Sequence, residues 1–183
     1  MPRYVSFESD TELNGNTALA FLKNIRHDDI AATLKKHGMD NIDPTAWYPL
    51  QSVLNIMNDL YESSDASTNF VSIGIAAAQI GIDNLPPQMA NATLEQLLMA
   101  YPAVYQQRHR GGDPGEISVK KVDDSHYIIT MRVPYPDDVF YGVMYGYVRH
   151  FRPQEKRFSL RYDPDLPRRE DGGENTVVHV HLT

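Results

Sequence analysis

The chain has 183 residues, of which 42% are hydrophobic, a formal net charge of −7 and no cysteine. That length suits one domain, or two subdomains sharing a core. The lack of thiols excludes disulfides, thiolate catalysis, iron–sulfur clusters and cysteine zinc sites. The acidic balance argues against a general nucleic-acid binder. No apolar run reaches the ~18 residues of a membrane span, and MPRYVSFESDTELNG at the N-terminus lacks the apolar region of a secretory signal. A cytoplasmic protein is expected.

In chain order, the first part reads as helices. NTALAFLKNIRHDDIAATLKKHGM offers two short ones, broken near Arg26–Asp28 and ended by Gly38. His27 beside Asp28 and Asp29 reads as a helix boundary rather than a catalytic pair. In WYPLQSVLNIMNDLYES, Leu50, Leu54, Met57 and Tyr61 form an apolar ladder at helical spacing. TNFVSIGIAAAQI, from Thr68 to Ile80, reads as a buried helix with Gly81 as its stop. In NATLEQLLMAYPAVYQQRH, Thr93 is the expected N-cap and Pro102 is expected to kink or restart the helix.

The periodicity then changes. RGGDPG reads as a loop, with the arginines of RHRGG (Arg108 to Gly112) as solvated loop charge, like those of PRRE (Pro167 to Glu170). EISVKKV (116–122) and HYIITMRV (126–133) read as a hairpin turning at Asp123–Ser125. PYPDDVFYGVMYGYVRHF predicts a helix with Pro136, Asp137 and Asp138 at its start and Arg149, His150 and Arg152 at its end. Phe140, Met144, Tyr147, Val148 and Phe151 form its core stripe, while Gly142 and Gly146 project from the other side. Each interior glycine costs roughly 1 kcal/mol against alanine, so the pair marks either an exposed back face that tolerates the loss or close approach by a second backbone element. KRFSLRY (156–162) and TVVHVHL (176–182) read as closing strands. The expected fold class is α+β. A helical subdomain (1–110) packs on a C-terminal antiparallel sheet with one helix (116–183), in the order strand, strand, helix, strand, strand.

Chemical motifs are sparse. His179 and His181 share one face of the last strand, the best metal-like spacing in the chain; a site needs a further ligand, which His126 or a carboxylate would supply by cross-strand proximity, and the bland alternative is an ordinary exposed strand face. The aspartates of DDVF and VDDS read as helix-start charge and a turn. There is no Gly-rich phosphate loop, serine elbow or HExxH motif, so no enzyme is expected. Tyrosines and the single tryptophan crowd the segments that should meet, and Trp47, Leu98, Met99 and Tyr141 are the candidates for a ligand pocket.

TLEQLLMAYPAVYQQRHRGGDPGEISVKKVDDSHYIITMRVPYPDDVFYGVMYGYVRHF resembles haem-nitric oxide/oxygen-binding (H-NOX) domains and their relatives, which include 4-vinyl-reductase-type small-molecule-binding domains. HGMDNIDPTAWYPLQSVLNIMNDL upstream looks like the Tyr-Pro-Leu helix start of the same group. The resemblance implies a helix lying over an antiparallel sheet and a helical half closing around a cavity. It also implies an iron-ligating histidine before the hairpin, where this chain has Leu98, with His109 or Met99 as substitutes in another register. The Tyr-x-Ser-x-Arg haem clamp would fall on Thr130, Arg132 and Pro134, none of which matches. The reading is a haem-free sensory or regulatory domain of signal transduction that binds a small molecule, a signalling partner or a fused output domain, with no cofactor expected. The alternatives are an assembly module, such as a homodimeric scaffold, and a haem-based gas sensor.

Overall fold

The computed structural model describes residues 2–23, 25, 30–62, 66–89 and 91–183. The predicted break at Arg26–Asp28 and the His27–Asp29 boundary lie outside the described residues. The elements in order are β1 (Glu12–Asn14), α1 (Gly15–Leu22), α2 (Ile30–Lys36), β2 (Trp47–Pro49), α3 (Leu50–Tyr61) and α4 (Ala66–Asp83). They continue with α5 (Leu94–Gln107), β3 (His109–Arg110), β4 (Glu116–Asp123), β5 (His126–Arg132), α6 (Asp137–Phe151), β6 (Phe158–Tyr162) and β7 (Thr176–Leu182). The expected α+β layout forms, with β4, β5, β7 and β6 side by side in one fully antiparallel sheet.

Three local expectations need correction. A second antiparallel sheet, β2-β1-β3, crosses the half that reads as helices and loops. Its strands have two or three residues, too short for alternation to show, and only pairing defines them. Helix α4 runs past Gly81 to Asp83; Gly81 lies under the Tyr147 hydroxyl, where a side chain would collide. Helix α5 opens on a capping box between Thr93 and Gln96 and continues through Pro102 to Gln107 without restarting. The proline there removes the N–H that would have bonded the Leu98 carbonyl.

Helix α6 is packed on both sides. Phe140, Met144 and Val148 are buried, as are Ile117, Ile129, Val178 and Val180 on the inner face of the sheet. Its other side meets α4 backbone to backbone. A Cβ on Gly142 would lie 3.0 Å from the Val71 carbonyl carbon and 3.1 Å from the Gly74 Cα, and one on Gly146 would lie 2.6 Å from the Ala78 Cβ. Gly74, Ala78, Gly142 and Gly146 therefore form a seam in which two helices touch without intervening side chains. The helical half and the sheet close around α6 as the middle layer.

The start of α6 holds more than helix-start charge. Asp137 is buried; one carboxylate oxygen accepts the Thr176 hydroxyl at 2.6 Å and the other accepts the Glu170 N–H at 3.1 Å. The Asp137 N–H donates in return to the Glu170 carboxylate at 2.6 Å, and Glu170 also accepts from Arg3 at 2.8 Å. Burial pushes the Asp137 carboxyl above its usual range, against the bonds that favour its charged form. Asp137→Ala leaves the Thr176 hydroxyl without an acceptor, although it still accepts from the Arg169 N–H, and leaves the Glu170 N–H unpaired; it is expected to cost about 2 kcal/mol in urea denaturation.

Candidate functional site

A cleft of about 230 Å³ opens where α1, α4, α5 and α6 converge. Thr17 and Phe21 of α1, Ala77 and Gly81 of α4, Tyr101 of α5 and Tyr147 of α6 line it, and Arg108 lies just past the end of α5. The Tyr101 and Tyr147 rings meet edge to face with centroids 5.6 Å apart. Burial raises both phenols above their ordinary value, and the Arg108 guanidinium pulls both down. Arg108 is not solvated loop charge: it is half-buried and donates to the Thr17 hydroxyl at 3.0 Å. Among the described residues it makes no salt bridge, and neither phenol has a hydrogen-bond partner. A cation and two phenols thus face a recess whose walls combine the apolar Phe21, Ala77, Ile80 and Val143 with the polar Asn16, Thr17 and Asn84, and nothing in the local sequence distinguishes Arg108 from its solvated neighbours.

The four pocket candidates do not gather there. Leu98 is buried in the core. Met99, its neighbour on α5, is 52% exposed, because adjacent helical residues point about 100° apart. Trp47 sits on β2 with the Arg110 guanidinium 4.7 Å from its ring centroid. Tyr141 donates to the Leu160 carbonyl at 2.8 Å and packs on Tyr162, on the sheet side of α6. Of the tyrosines expected near a pocket, Tyr101 and Tyr147 are the two that line the cleft.

At the positions where the resemblance places the haem-holding groups, the described residues are arranged as follows. Haem iron needs an axial His, Cys, Met or Tyr, and α5 turns Leu98 inward with Met99 outward. His109 is buried, with Nδ1 2.8 Å from the Tyr105 carbonyl and Nε2 2.8 Å from the Tyr135 hydroxyl. A carbonyl only accepts, so Nδ1 carries the proton and Nε2 accepts from Tyr135. Burial pushes His109 down to about 4, so the ring is neutral at pH 7. At the positions of the expected clamp, Arg132 is committed to Asp113 at 2.7 Å.

On the outer face of the sheet, His179 and His181 project from β7 on the same side, and His126 stands opposite His181 on β5. His126 Nε2 is 2.9 Å from His179 Nδ1, and His179 Nε2 is 2.9 Å from an Asp163 carboxylate oxygen. The bare spacing of His179 and His181 finds this cluster, and the register of β5 supplies its third member.

Neither a scan of protein-family models nor a search of curated proteins gives a match. Solved structures do match. A mutant of T. tengcongensis H-NOX superposes with a TM-score of 0.71 at 18% identity, covering 93% of this chain and 98% of that one. A structure titled for the function of heme distortion in the H-NOX family gives 0.72 at 18% identity, over 93% and 95%. An oxygen-binding H-NOX domain related to soluble guanylate cyclases gives 0.68 at 18% identity, over 91% and 92%. The helix order, the antiparallel sheet and the middle-layer helix of this chain are those of the H-NOX fold.

Proposed function

We propose that the protein is a non-enzymatic sensory or regulatory domain of signal transduction. It binds a small organic anion, without haem, in the cleft between α1, α4, α5 and α6. The observation that carries this reading is Arg108, a half-buried cation with no salt bridge among the described residues, beside the Tyr101 and Tyr147 hydroxyls. A carboxylate or phosphate would satisfy all three, while Phe21, Ala77 and Val143 would cover an apolar body. The 230 Å³ volume lies under the roughly 300–1,000 Å³ of drug-sized pockets, so the ligand is small. Four helices contribute to the cleft, so occupancy biases their arrangement by whatever affinity difference the ligand has between two states. A partner protein or fused output domain would read that difference.

Titration calorimetry with benzoate, salicylate and short aliphatic dicarboxylates tests the cleft. At least one is expected to saturate, and Arg108→Gln is expected to weaken it about 10- to 100-fold, the worth of one charge-assisted hydrogen bond. Binding that ignores this substitution, or a panel without a single binder, would remove the anion reading. Haem added during expression is expected to leave the purified protein without a Soret band, and a band would restore the gas-sensor alternative.

A further inference from the structure

We propose that His126, His179 and His181 form a binding site for a divalent transition-metal ion, Zn²⁺ or Cu²⁺, on the outer face of the four-stranded sheet. One nitrogen from each ring lies within 4.8 Å of the others. Two imidazoles bound at 2.0–2.1 Å to one tetrahedral ion sit roughly 3.3–3.4 Å apart. His126 Nε2 and His179 Nδ1 are already 2.9 Å apart, so an ion can replace the proton they share after a shift of about half an ångström. The His181 ring is stacked on His126 with centroids 4.1 Å apart, and a rotation of that side chain brings its nitrogen to the same point.

Asp163 supplies the arrangement that separates a ligand set from three incidental histidines. Its carboxylate accepts from His179 Nε2, which fixes the ring tautomer and turns the Nδ1 lone pair toward His126. Metal-bound histidines typically have such a carboxylate behind them. On metal binding the His126 proton moves from Nε2 to Nδ1, so the ring stays neutral. A groove lined by Ser159, Arg161, Asp163 and Asp165 opens beside His179 and His181 and leaves a coordination position to solvent. Three imidazoles, with no carboxylate in the ligand group among the described residues, select zinc or copper over calcium or magnesium, which prefer oxygen ligands. The charges facing the site are Asp123 beside His126, Asp163 behind His179, and Arg161 opposite His179 on β6. The site lies across the sheet from α6 and does not depend on the cleft.

The whole chain, freed of metal by EDTA dialysis, is titrated with ZnCl₂ by calorimetry and with Cu²⁺ under electron paramagnetic resonance. One ion per chain is expected, with a copper spectrum showing three nitrogen ligands. His126→Ala or His179→Ala is expected to weaken zinc at least tenfold. Asp163→Asn should weaken it about 10- to 100-fold while the three-nitrogen copper spectrum persists, as expected of a group behind the ligands. His150→Ala should change nothing. A Tm of the unaltered chain that rises with zinc supports the site without any variant. The proposal is overturned if zinc does not bind, if binding survives the loss of all three histidines, or if copper reports fewer than three nitrogens.

Discussion

Gly142→Ala is expected to destabilise the protein by at least about 3 kcal/mol, whereas the same change in an exposed helix would stabilise it by roughly 1 kcal/mol. The sign of the effect separates a packed glycine from a tolerated one. The new methyl would meet backbone atoms, the Val71 carbonyl and the Gly74 Cα, and backbone of a packed helix cannot rotate aside as a side chain can. Relief requires α4 and α6 to separate, which loosens every contact along the seam. Gly146→Ala makes a useful contrast, because its close neighbour is the Ala78 methyl at 2.6 Å and the next atoms are an ordinary 3.5 Å or more away. The double variant Gly146→Ala with Ala78→Gly should therefore recover most of the stability lost by Gly146→Ala alone. No single partner substitution should rescue Gly142→Ala. Urea denaturation of the variants reads these differences as shifts in midpoint at constant slope.

The glycines show what a sequence carries and where it stops. Two glycines four apart on the back of an apolar helix fit either a close neighbour or an exposed face that tolerates them, since each is unfavourable in a helix interior, and only the packing on α4 decides between the two. Gly74 and Ala78 carry the matching notch in TNFVSIGIAAAQI, but nothing local pairs one helix with the other. The hairpin and the closing strands were legible because five to eight residues suffice for alternation, and His179 with His181 was legible for the same reason. Strands of two or three residues have no period to read, so β1, β2 and β3 emerged only with their pairing. Arg108 and Arg110 look alike in RHRGG, yet one ends in the cleft and the other over Trp47. What divides them is where α5 stops against α1, which is tertiary information. The pocket candidates failed to gather for a simpler reason: Leu98 and Met99 are consecutive on a helix, so they cannot both face the same space.

His109 gives the second large expectation, a loss of about 3 kcal/mol of stability as the pH falls from 6.5 to 4. The imidazole is held down to about 4 in the folded protein, mainly by burial, against about 6.5 when unfolded. In that window the unfolded chain binds the proton that the folded chain refuses, so stability rises with pH there. The contribution is fully present above 6.5 and is lost as the pH drops through the folded value. Protonation would also place a donor at Nε2 against the Tyr135 hydroxyl, which now donates to it. Denaturation midpoints taken across the window should slope steeply in the unaltered protein and much less in His109→Gln, even though that variant starts lower at neutral pH. His126 shifts in the same direction and adds a smaller slope of the same sign, so the comparison belongs in a His126→Ala background. Asp137, whose carboxyl is raised, gains stability as the pH falls and acts with the opposite sign. Asp59, Asp113 and Asp163 are lowered, so their contribution has the same sign as that of His109 but is lost from the acid edge of the window downward. Equal slopes with and without His109 would mean that its buried ring takes up the proton without cost, and the assignment of Nε2 as an acceptor from Tyr135 would fall with that result.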